Sequence, residues 1–108
     1  MDNPNLKQLI DLYKFVKDKA ISPEQLKVAV SSMMKIVKES REENKITVQA
    51  MKKTLEQTLA YIEDQHSTHM EKMGEMNKKE IKKLEKLTLD TLYEAQNALE
   101  MIKSKKIS

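Results

Sequence analysis

The chain has no cysteine and no tryptophan, and only one glycine (Gly74), one phenylalanine (Phe15) and two prolines (Pro4 and Pro23) among 108 residues. Each scarcity excludes something. Without cysteine there is no disulfide, no thiolate nucleophile and no cysteine-based zinc site. With so little glycine and proline the chain has few places to reverse, because turns draw on both. Aromatics make up 4% of the residues, so the core cannot be built around large rings. No apolar run approaches the ~20 residues of a membrane span. The opening Met1-Asp2-Asn3-Pro4 lacks the basic-then-apolar layout of a secretory signal. The expectation is a cytoplasmic or virion-associated protein with no signal peptide and no membrane span.

What remains is Leu, Ile, Val, Met and Ala among charged residues that make up 34% of the chain, with a net charge of +3. The length allows one domain. This is the profile of an all-α protein made of long helices. Asn3-Pro4 reads as a helix start, since a proline at the first helical position loses no hydrogen bond. Leu6, Leu9, Ile10, Tyr13 and Val16 then keep helical spacing to about Lys19. Ser22-Pro23-Glu24-Gln25 is the clearest local signal. Ser22 caps, Pro23 takes the first helical position, and Gln25 completes a capping box. The next helix opens with Leu26, Val28, Ala29, Val30, Met33, Met34, Ile36 and Val37. Eight polar residues follow at 38–45 with no glycine or proline, and their composition predicts that the helix continues through them.

From Met51 to Ile102 an apolar or small residue returns about every 3.6 positions, the period of a straight helix rather than of strict heptads. The polar or small positions in the series, Thr58, His66, Asn77, Thr88 and Ala95, suit fixing register more than adding stability. The expected architecture is a short N-terminal helix folded against a long helix that forms an oligomeric coiled coil or bundle. Residues 1–45 are its docking region and 46–108 its long amphipathic helix. The oligomer seam is Met51, Leu55, Leu59, Ile62, His66, Met73, Ile81, Leu84, Leu92, Leu99 and Ile102. The alternative is a monomeric four-helix bundle. It requires a turn near His66–Gly74, where Thr68 and Glu71 match a capping box.

Candidates for chemistry are few. His66 and His69 lie three apart, and Met70, Met73 and Met76 follow at steps of three. Imidazoles and thioethers bind soft ions, but steps of three drift around a helix by about 60° each, and methionine is an ordinary packing residue. We therefore expect no metal site and no cofactor. No nucleophile–base arrangement, phosphate loop or carboxylate pair stands out, so no catalytic residue is assigned and no enzyme is expected. Lys78, Lys79, Lys82, Lys83 and Lys86 fall within an arc of roughly 140° on one side of a helix and form a candidate basic contact face. No arginine accompanies them and no aromatic is interleaved among them, which argues against nucleic acid.

The function class expected from this pattern is structural: an assembly protein that self-associates or joins a larger protein complex. In its small, cysteine-free, Lys/Ile/Asn/Glu-rich helical style the chain is similar to assembly proteins of tailed-phage virions, such as fibres, connectors and scaffolds. The rival reading is a compact helical-bundle binding module, an inhibitor or adaptor of a protein partner.

Overall fold

The computed structural model describes residues 4–19, 21–40, 43–72 and 77–104, with side chains at 68–72 set aside. The fold is all-α. Four helices follow in order: α1 (Pro4–Lys19), α2 (Pro23–Glu39), α3 (Lys45–Lys72) and α4 (Lys78–Lys103). The corner between α1 and α2 forms as its residues dictate. The Ser22 hydroxyl accepts from the Gln25 amide at 3.2 Å, and the Gln25 side-chain oxygen accepts from the Ser22 amide at 3.0 Å. Both halves of the capping box are thus made, with Pro23 at the first helical position. Ser22→Ala is expected to cost about 1 kcal/mol, read as a shift in the urea midpoint with unchanged slope. No shift would mean that the cap is redundant with the corner's packing.

The helix expected through 38–45 stops instead at Glu39 and restarts at Lys45. Polar residues supply the ends that glycine and proline do not. The Ser40 amide closes α2 on the Ile36 carbonyl at 2.9 Å, and the Ser40 hydroxyl donates to Glu43 at 2.8 Å in a buried contact. Asn44 then caps α3, its side-chain oxygen accepting from the Thr47 amide at 2.8 Å. Neither is there one long helix from Pro23 onward. α3 runs past the Thr68–Glu71 match to Lys72, and Asn77 caps α4 by accepting from the Glu80 amide at 2.8 Å. Met73, Gly74 and Met76 lie outside the described residues.

The helices form two hairpins laid on each other: α1 beside α2, α2 beside α4, α4 beside α3, and α3 beside α1. One core cluster joins Leu9 and Met33 to Val48, Met51, Leu55, Leu99 and Ile102. A second joins Val16, Leu26, Ala29 and Val30 to Ile62 and Ala95. These pairings make α1 run with α3 and α2 with α4, while α3 and α4 oppose each other. Both clusters draw on residues before and after position 45. Buried threonines satisfy themselves locally: Thr58 donates to the Thr54 carbonyl and Thr91 to the Leu87 carbonyl, each at 2.8 Å, as helical threonines do.

The hairpins differ in length. α3 has 28 residues and α1 has 16, so α3 is longer by about 18 Å at 1.5 Å per residue. Among the described residues the last buried side chain on α3 is Ile62 and the first on α4 is Thr91. Beyond that level the α3–α4 hairpin projects from the bundle. The molecule measures 51 × 24 × 17 Å with a radius of gyration of 15.0 Å, against about 13 Å for a rounded chain of this length.

Candidate protein-interaction surface

The eleven residues read as an oligomer seam divide by environment. Met51, Leu55, Ile62, Leu99 and Ile102 are buried in the two clusters, and Leu59 packs against both. Leu92 packs against the second. Their apolar stripe is covered by α1 and α2 of the same chain. The physical reason is the turn between α3 and α4, which lets the chain bury its own stripe. His66, Ile81 and Leu84 are half-buried on the hairpin at and beyond the α1–α2 corner. Met73 lies outside the described residues, as do the side chains of His69 and Met70.

His66 lines a small cavity at the foot of the bundle, with Ile21, Pro23, Leu26, Tyr61, Gln65, Thr88 and Thr91 among the walls. Its volume of about 20 Å³ is room for one water. The Nδ1 of His66 is the one buried side-chain nitrogen or oxygen without a hydrogen-bond partner among the described residues. Burial, with Asp64 nearby adding to it, raises the Tyr61 phenol above its ordinary value of 10.0. A raised pKa means the fold favours the protonated phenol. The linked stability is therefore complete below pH 10 and lost as pH rises through the folded-state value. In an alkaline titration followed by tyrosinate absorbance, Tyr61 is expected to ionise above the ordinary phenol value of 10.0. Asp64→Asn should bring it down only part of the way, since burial is the larger cause. Complete reversal would make the charge the main cause instead. Among the described residues no three His, Asp or Glu side chains gather as a metal site, and no helix is long and apolar enough to cross a membrane.

The outer surface carries a more informative pattern. Lys78, Lys79, Lys82, Lys83 and Lys86 are all exposed on α4. None forms an ion pair among the described residues, where the one pair is Lys103 with Glu100 at 3.5 Å. Leu89 and Tyr93 follow at 60% and 67% exposure. At about 100° per residue, Lys82, Lys86, Leu89 and Tyr93 fall within an arc of roughly 60°. One helix face thus runs from cationic to apolar, opposite the buried face of Thr91, Ala95, Ala98, Leu99 and Ile102. Sequence reasoning found the lysines and missed Leu89 and Tyr93. The signal was present: carrying the same angular count past Lys86 places both on the lysine side. A second apolar strip lies between α1 and α2, where Leu12, Phe15 and Val28 line an open groove of about 340 Å³.

No protein-family model, curated protein or solved structure matches the chain.

Proposed function

We propose that this chain is a small, non-enzymatic helical-bundle module that works by protein–protein contact, with the outward face of α4 as its docking surface. The observation that carries the reading is the pair Leu89 and Tyr93, exposed on successive turns in line with Lys82 and Lys86. Single exposed apolar residues are ordinary. Two large ones on one ridge, bordered by polar and charged side chains, have the layout of an apolar interface centre with a polar rim. The one-water cavity beside His66 and the open grooves support binding rather than turnover, since catalytic pockets enclose their substrates. A second reading, a self-associating structural component such as a virion fibre, connector or scaffold, draws support from the projecting α3–α4 hairpin.

The test is a photo-reactive side chain placed at Tyr93, and in a separate protein at exposed Gln49 on α3, in the full chain in its own host. The proposal expects a protein adduct from position 93 and none of that size from position 49. Equal labelling from both, or none from either, would contradict it.

A further inference from the structure

The exposed face of α4 is complementary to itself when reversed. Lys82, Lys86, Leu89, Tyr93, Gln96 and Glu100 are all exposed, and they follow at steps of four, three, four, three and four. That alternation is the 3.5-residue repeat of a coiled-coil seam, and at about 100° per residue the six fall within an arc of roughly 80°. On the buried face Thr91, Ala95, Ala98 and Ile102 follow at the same steps of four, three and four, so α4 carries two stripes of like spacing on opposite sides. Along the outer stripe the chemistry changes in one direction, from cationic through apolar to amide and then carboxylate.

Laid against a second α4 running the opposite way, with the two-fold axis at the level of Thr91, the stripe pairs with itself. Lys82 then faces Glu100, Lys86 faces Gln96, and Leu89 faces Tyr93. Each pairing occurs twice, as an isologous contact requires. The parallel arrangement sets lysine against lysine and carboxylate against carboxylate. We infer that the occupant of this face is a second copy of the chain, docked antiparallel through α4. The inference rests on the reading of α4 as the docking surface and names its partner. Glu100 is free to change partners at little cost, since its pair with Lys103 is a surface one, with the two side chains 71% and 44% exposed. Lys79 and Lys103 fall opposite each other at the outer ends of the overlap and weaken it. A contact of six residues a side is also smaller than the ~1,000 Å² of a lasting interface. The dimer is therefore weak and reversible, and it assembles where the protein is concentrated.

The test uses the full chain, with mass measured by sedimentation from about 10 μM to about 1 mM, a range that brackets weak association. Circular dichroism confirms that every variant is folded. Wild type is expected to move from monomer toward dimer across this range. Lys82→Glu and Glu100→Lys, which set like charges together twice, should each raise the midpoint about tenfold or more, and the double variant should recover most of the loss. Because the chain has no cysteine, orientation is readable by oxidation. A mixture of Lys86→Cys and Gln96→Cys proteins should form the mixed disulfide faster than either like pair. A monomer at every concentration, a dimer indifferent to the charge variants, or faster like-paired disulfides would each overturn the second-copy inference. If the chain stays monomeric while position 93 still captures a different protein, the inference fails and the docking face stands. If position 93 also captures nothing, both fail.

Discussion

Leu55→Ala lowers the free energy of unfolding by about 3 kcal/mol and leaves the melting temperature independent of protein concentration in the micromolar range. Leu55 is fully buried, in a cluster with Leu9, Met33, Val37 and Ile102. Truncating it removes apolar contact and leaves a cavity that helices held from both sides close only partly. For a chain of this length the loss corresponds to roughly 13 °C in melting temperature. The absence of a concentration effect matters as much as the size. Side chains buried between copies tie stability to association, so dilution lowers the melting point. Side chains buried within one chain do not. A Leu55→Ala protein whose melting point falls on dilution would return Leu55 to an intermolecular seam.

The fragment 46–108, made alone, is expected to lose cooperative folding. Met51, Leu55, Leu99 and Ile102 share their cluster with Leu9, Met33 and Val37, and Ile62 and Ala95 share theirs with Val16 and Val30. Removing α1 and α2 exposes one side of every one of these residues. Full burial of a side chain this size contributes about 1.5–3 kcal/mol, so the combined loss exceeds the ~5–15 kcal/mol that holds a domain together. Far-UV circular dichroism should show a broad, non-cooperative melt with reduced helix signal. A sharp transition from the fragment would mean that residues 46–108 fold as a unit of their own and that α1 and α2 are an attachment to it.

The helix ends that were legible in the sequence are those with unambiguous chemistry. Pro4, Lys19 and the Ser22-Pro23-Gln25 corner stand where local rules place them. The break at 40–44 was hidden because its residues are also good surface-helix residues. In the structure Ser40 and Glu43 are buried and bonded to each other three residues apart, and Asn44 caps the next helix, local partnerships that a count of helix formers passes over. The 3.6-residue period from Met51 to Ile102 picked out most of the buried positions on α3 and α4. It carries no information on whose helices cover them, because a stripe buried by its own chain and one buried by a neighbour have the same spacing. That decision lies in the turn between Lys72 and Lys78. The sequence between α3 and α4 holds no proline, and its one glycine, Gly74, reads equally as a tolerated interior residue. Leu89 and Tyr93 went unread for another reason. A residue-by-residue search for apolar positions assigns them to the core, and only their angular agreement with Lys82 and Lys86 sets them outside.

In this fold the apolar stripe from Met51 to Ile102 is buried against the chain's own α1 and α2. Absolute mass and hydrodynamic radius, measured together by light scattering on a sizing column at low micromolar concentration, test that placement. A monomer of 12.6 kDa with the radius of a body about as long as the 51 Å bundle is expected. A dimer or larger species that survives dilution, with a radius implying a far longer rod, would contradict it and return Met51 to Ile102 to a seam between chains.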